Sequence, residues 1–369
     1  MRLHAGRTVI ALVGAITSAL LVSSGAGAAT ATFSPQSIVW PTQSDGYVLG
    51  RVSCSTTTCP AAVKATHDGG KTWATVGRTH NGLAMSGEPG LTSLQFATKT
   101  FGWAYDPFLE ATRDGGKTWT QVPIPGGDAK VLNLLAAQDG TYVVTSGCAI
   151  GSGICDDRPL KVWRAPAGQL TGWKQVKVDV AAGDHAALAS SGSTVYLLAA
   201  PFVDQSRLST ISGGVVKPVS TVTCPTQEDG FATDLAANAP NRIFILCNAN
   251  FGRGHSDKSV MVSADGGRTF RYDAVTGGLG LGSQLAVGAD GAVLLTTVTA
   301  SLVYNRPAFA KSWQVADNWL ENSEHIHDLV WQSATTAWMV ERDAAYTPDT
   351  RLWMTRDAGQ TWQPTTIPA

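Results

Sequence analysis

The sequence predicts an all-β protein, and three observations carry that expectation. Glycine is abundant, 39 of 369 residues, which points to many tight turns. Only 15% of the residues are charged, while 44% are hydrophobic and 12 are tryptophan. That is the composition of packed cores, not of a disordered or coiled-coil chain. A short motif also recurs at nearly constant spacing, the mark of a repeat architecture. Lysine and arginine (27) nearly balance aspartate and glutamate (28), so nothing in the charge points to a nucleic-acid partner.

Met1 to Ala28 reads as a secretory signal peptide. Arg2 and Arg7 supply the positive start, Thr8 to Val22 is apolar, and Ala26-Gly27-Ala28 fits a small-x-small cleavage site. The apolar core is short against the ~20 residues of a membrane span. No cysteine lies near the cleavage site for a lipid anchor, and no later stretch is long and apolar enough to span. The expectation is a secreted or cell-envelope protein with no transmembrane segment, its mature chain running from 29 to 369.

The repeat sets the architecture of that mature chain. Thr66-His67-Asp68-Gly69-Gly70-Lys71-Thr72-Trp73 returns as Thr112 to Trp119, as Ser263 to Phe270 and as Thr355 to Trp362. Its aspartates are Asp68, Asp114, Asp265 and Asp357, spaced by 46, 151 and 92 residues. The longer gaps divide into three units of about 50 and two of about 46, so three copies have decayed. They fall at Trp163 to Trp173, at Ser209 to Gly214 and at Ala308 to Trp313. A strand rich in β-branched and aromatic residues precedes each unit. These begin at Gly46, Gly102, Thr141, Val195, Ile243, Ala292 and Ala337. Both markers count seven, which predicts a single seven-bladed β-propeller of four-stranded blades.

The octapeptide resembles the Asp-box (BNR) repeat of sialidases, of the sortilin ectodomain, of certain xyloglucanases and of the photosystem II assembly-factor propellers. The resemblance implies that Asp68, Asp114, Asp265 and Asp357 lie in the turn between the third and fourth strands of a blade. There a carboxylate accepts backbone N–H groups, glycine permits positive φ, and the aromatic wedges between sheets. These aspartates are read as structural, because equivalent positions on different blades are spread around a ring and cannot converge. Third-to-fourth and first-to-second turns share one face. Second-to-third loops and blade connections occupy the other.

Six cysteines in an exported chain suggest disulfides. Of the fifteen connectivities open to six cysteines, proximity and repeat register favour Cys54–Cys59, Cys148–Cys155 and Cys224–Cys247. All three fall on the face without Asp-boxes. No metal-ligand spacing accompanies them, and no cofactor motif is present.

Propeller ligands bind at the loop-rich mouth of the channel. Asp106, Glu110 and Arg207 are among the polar residues expected there, and the ligand-binding candidates are Arg158, Arg253, His255, Asp257, Arg342 and Arg351. Two loops stand out, Asn248 to Asp257 and Glu341 to Tyr346. Glu341, Asp343 and Tyr346 are catalytic candidates, since sialidases pair a tyrosine nucleophile with a glutamate and hold their substrate with an arginine cluster. The sequence departs from that family: Ser37-Ile38-Val39-Trp40-Pro41 lacks the arginine of its Arg-Ile-Pro motif, and sialidases have six blades. Xyloglucanases use two propellers, and this chain has room for one. His325 and His327 share one side of a strand, and we read them as a surface pair with no metal bound. The function expected is a monomeric scaffold for a protein, peptide or glycan ligand. The photosystem II assembly-factor propellers match it best in size and blade number. The alternative is an exo-acting glycoside hydrolase of sialidase-like type.

Overall fold

The computed structural model describes residues 33–52, 60–83, 89–128, 130–148, 159–178, 185–200, 205–224, 230–252, 255–275, 281–298, 303–308, 312–316, 323–343 and 350–369. All of them belong to one compact unit, Ala31–Ala369. The predicted signal peptide lies outside the described residues.

Seven four-stranded antiparallel sheets, each made from four consecutive strands, form a seven-bladed β-propeller. Blade 1 is β1 (Phe33–Val39), β2 (Gly46–Val52), β3 (Pro60–Thr66) and β4 (Ala74–Gly82). Blade 2 is β5 (Ser93–Phe96), β6 (Gly102–Tyr105), β7 (Leu109–Thr112) and β8 (Thr120–Gln121). Blade 3 is β9 (Lys130–Ala137), β10 (Gly140–Ser146), β11 (Lys161–Pro166) and β12 (Lys174–Val176). Blade 4 is β13 (His185–Ser191), β14 (Thr194–Ala200), β15 (Ser206–Ser212) and β16 (Val215–Val222). Blade 5 is β17 (Phe231–Ala239), β18 (Arg242–Gly252), β19 (His255–Ser263) and β20 (Arg271–Ala274). Blade 6 is β21 (Leu281–Val287), β22 (Val293–Val298), β23 (Val303–Arg306) and β24 (Gln314–Val315). Blade 7 is β25 (Ser323–Trp331), β26 (Ala337–Asp343), β27 (Thr350–Thr355) and β28 (Gln363–Thr365). Among the described residues there is no α-helix, only a 3-10 turn at Pro125–Gly127.

Burial explains the strand sequences. Second strands have a sheet on each side, so they read as continuous apolar runs: Tyr47-Val48-Leu49, Tyr142-Val143-Val144 and Val293-Leu294-Leu295 are all buried. Fourth strands lie at the rim and are polar, as in β4. Aromatic rings join neighbouring blades. Tyr47 stacks on Phe96 with centroids 3.8 Å apart, and Trp40 stacks on Trp338 at 5.4 Å.

The four octapeptides lie between the third and fourth strands of blades 1, 2, 5 and 7 and share one hydrogen-bond pattern. Asp68 Oδ1 accepts the backbone N–H of Lys71 and Thr72 at 3.0 Å each, while Oδ2 accepts Thr72 Oγ1 at 2.6 Å. Thr66 Oγ1 donates to Asp68 and accepts the N–H of Gly70. The second glycine needs positive φ, +87° at Gly70 and +84° to +89° at Gly116, Gly267 and Gly359. Where the first three turns place glycine next to the aspartate, the fourth holds Ala358 at φ +60°. Two of the decayed units fall between the third and fourth strands of blades 3 and 4, and the third, in blade 6, lies partly outside the described residues.

The ring closes without a shared sheet, because β28 pairs with β27 of its own blade. Side chains make the closure. Asp328 Oδ2 accepts Ser37 Oγ (2.7 Å) and the Ile38 N–H (2.9 Å), and Gln332 Nε2 donates to the Gln43 carbonyl at 2.7 Å.

Cys224 and Cys247 form a disulfide with Cα atoms 5.7 Å apart. Cys148 is disulfide-bonded as well. Its expected partner Cys155 lies outside the described residues, as does the expected Cys54–Cys59 pair.

Candidate functional site

First strands of the blades line the central channel, and two of their carboxylates stitch one blade to the next. Asp234 of β17 accepts the Leu285 N–H of blade 6 at 2.9 Å and its neighbour Leu235 N–H at 2.8 Å. Asp328 of β25 repeats this toward Ile38 and Leu329. Burial pushes both carboxyls up to about 6, against the pull of those donors. Tyr105 faces the same space: burial pushes its phenol up, and the Asp328 charge adds to the rise. Sequence reasoning missed both aspartates. The available signal was a lone acid before a leucine inside an apolar first strand, Asp234-Leu235 and Asp328-Leu329.

On the face away from the aspartate turns, charged side chains cluster at the mouth over blades 2 and 3. Asp106 sits at positive φ (+62°) before Pro107 and accepts Thr92 Oγ1 at 2.9 Å. Burial raises its carboxyl, opposed by the Thr92 hydrogen bond and the Lys130 charge. Asp128 accepts Thr145 Oγ1 and Lys161 Nζ, both at 2.6 Å. Two carboxylate–lysine pairs, Asp106 with Lys130 and Asp128 with Lys161, thus lie near the start of β9. Sequence reasoning placed Asp106 here but not Lys130, Asp128 or Lys161.

The other expected residues fall in different places. Glu341 is on β26, 2% exposed, and accepts the indole N–H of Trp353. It is opposite Arg351, which is exposed on β27. Arg342 and Asp343 continue β26, paired with Thr350 and Ser323 respectively. The first three residues of the segment expected as a loop are therefore strand, and Ala344 to Tyr346 lie outside the described residues. Glu110 is fully buried, a correction to its expected place at the mouth. It accepts the N–H groups of His80 (2.9 Å) and Asn81 (2.7 Å), tying blade 2 to blade 1.

The expected loop from Asn248 is likewise a hairpin, with Asn248 opposite Lys258, Ala249 opposite Asp257 and Gly252 opposite His255. Asp257 is exposed, while Arg253 and Arg158 lie outside the described residues. Within this hairpin runs a buried polar chain that reaches Thr233 of β17. Lys258 Nζ donates to Ser256 Oγ (3.2 Å), Ser256 Oγ to Asn248 Oδ1 (3.3 Å), and Asn248 Nδ2 to Thr233 Oγ1 (2.6 Å). Burial pushes the Lys258 ammonium down to about 8. His325 and His327 are two apart on β25. Among the described residues, no three His, Cys, Asp or Glu side chains come together as a metal ion would require.

No family model matches the chain, and no curated protein does. Solved structures do match. YCF48 bound to a D1 peptide is 15% identical, covering 89% of this chain and 94% of that one, with a TM-score of 0.56. YCF48 from Cyanidioschyzon merolae is 13% identical, covering 89% and 96%, with a TM-score of 0.56. A catalytically inactive virginiamycin B lyase from Staphylococcus aureus, with quinupristin, is 8% identical, covering 88% and 95%, with a TM-score of 0.58. At these identities the likeness is one of fold, and the fold is the seven-bladed β-propeller that the repeat predicted.

Proposed function

We propose that this chain is an exported propeller with Asp-box turns that acts as a binding or assembly scaffold. Its ligand is a protein or peptide segment, held at the face away from those turns. One observation carries the reading: the acids of the aspartate turns and of the blade seams serve architecture, whereas the charged groups at the mouth over blades 2 and 3 mix both signs. Asp68, Asp114, Asp265 and Asp357 are occupied by their own turns, and Glu110 and Glu341 are buried. Asp106 with Lys130 and Asp128 with Lys161 form two pairs of opposite charge at the mouth, which suits the amides and charged side chains of a peptide. The fold shared with YCF48, itself solved with a D1 peptide, supports a peptide ligand.

The test is a peptide array and a fluorogenic glycoside panel, including sialosides, run on the same purified protein. The scaffold reading expects saturable peptide binding that Lys130→Glu weakens, and no turnover. Turnover of any glycoside, lost in an Asp343→Asn variant, would establish the hydrolase instead. Export is tested separately, by N-terminal sequencing of secreted protein, which is expected to begin at Ala29.

A further inference from the structure

At the aspartate-turn end of the seam between blades 5 and 6, Arg306 meets Asp273 within reach of the charges of Arg242 and Arg271. Across blade 5, Phe244 pairs with Val262 and Val262 with Arg271, so these three side chains share one face of the sheet. Arg242 is on that face too, its guanidinium 5.4 Å from the Phe244 ring centre. From blade 6, Arg306 at the end of β23 reaches back toward them. Its Nε is 3.3 Å from Asp273 Oδ2, and its Cζ is 5.6 Å from the Trp313 ring centre. Gly291, in the first turn of blade 6, makes room: a β-carbon there would stand 2.5 Å from Arg242 Nη1.

The charges do not balance. Arg306 is 4% exposed; its Nε is ion-paired with Asp273 outside hydrogen-bond geometry, and among the described residues its Nη2 has no hydrogen-bond partner. Asp273, the one acid beside it among the described residues, also accepts Trp313 Nε1 at 3.3 Å. Burial lowers the Arg306 guanidinium from its usual range, Asp273 opposes this, and the charges of Arg271 and Arg242 lower it further. The other nearby acids are engaged locally. Asp265 is saturated by Arg268 and Thr269 of its own turn, and Asp290 accepts the Ala292 N–H. A buried guanidinium with unmet donors is expensive, and a planar fork beside two more guanidiniums is suited to an oxyanion.

We propose that Arg242, Arg271 and Arg306 form an oxyanion site for a phosphate or sulfate group, either the free ion or an ester on a larger ligand. The exposed Arg271 and the half-buried Arg242 form its opening, on the face opposite the proposed peptide site. The two sites are therefore independent.

The experiment titrates the full chain with sodium phosphate and sodium sulfate at constant ionic strength, using calorimetry and thermal melting. A phosphorylated and a sulfated oligosaccharide are titrated in parallel. Arg242→Gln and Arg271→Gln are the variants, since neither side chain is in the core. Saturable binding is expected, with a matching rise in Tm, weakened about tenfold or more in each variant. Tighter binding of an oligosaccharide than of its free ion assigns the site to an ester; equal binding assigns it to the ion. Absence of saturable binding to any of the four, or unchanged affinity in both variants, overturns the proposal.

Discussion

Ser37 Oγ donates to Asp328 Oδ2 at 2.7 Å and, with its lone pair, accepts the Leu94 N–H at 3.0 Å. One hydroxyl thus ties blade 7 to blade 1 and blade 1 to blade 2, at the point where the ring closes. Replacing it removes both bonds and leaves the buried Leu94 N–H without its acceptor. Ser37→Ala is expected to cost about 1–3 kcal/mol in urea unfolding. A loss below about 0.5 kcal/mol, the range of ordinary surface substitutions, would show that apolar packing closes the ring unaided.

Asp234 and Asp328 make stability fall as pH rises. Each carboxyl titrates at about 6 in the fold against 3.8 for the free side chain. The fold therefore holds the proton more tightly, and stability declines as pH rises from about 4 through about 6. Thermal melting of Asp234→Asn is expected to gain on the parent across that window, on the order of 1–3 kcal/mol. A difference independent of pH would mean that these carboxyls titrate normally.

The aspartate turns have the opposite sign. Thr72, through its hydroxyl and its backbone N–H, holds Asp68 well below the usual carboxylate range, and Thr269 does the same for Asp265. Their contribution is complete above the unfolded value near 4 and is lost as pH falls below it. Asp68→Asn is expected to lower Tm by a few degrees at pH 7, with the deficit shrinking toward pH 2 and with ligand binding unchanged. Lost binding at unchanged Tm would move Asp68 from architecture to function.

Ala358 is the one alanine among the positive-φ positions of the repeated turns. An L side chain in that region costs about 1–2 kcal/mol, while glycine adds about 0.4–1 kcal/mol of unfolded-state entropy. Ala358→Gly is therefore expected to stabilise by roughly 0.5–1 kcal/mol, read as a raised denaturation midpoint at unchanged slope. A lowered midpoint would show that the turn is not strained.

Much of the fold was legible because a repeat writes the same local physics seven times. The turn octapeptide carries its own hydrogen-bond partners within a few residues, and each apolar second strand announces a sheet covered on both faces. Seven blades could thus be counted before any contact was known. The candidate site was less legible. Glu341, expected as a catalytic candidate, and Glu110, expected at the mouth, are both buried on strands, and which way a strand residue points depends on the register of its neighbour. Asp257 and Arg351 remained exposed as expected for polar groups, but on strands instead of loops.

The sequence by itself determined the class, the blade number and the turn chemistry, because those depend on residues close together in the chain. Only the tertiary structure decided how the ring closes and where charge is left unmatched. Ser37 and Asp328 are 291 positions apart, and Arg306 meets Asp273 only because two blades stack. Such contacts arise from the packing of one sheet on the next, for which no single repeat carries a local signal.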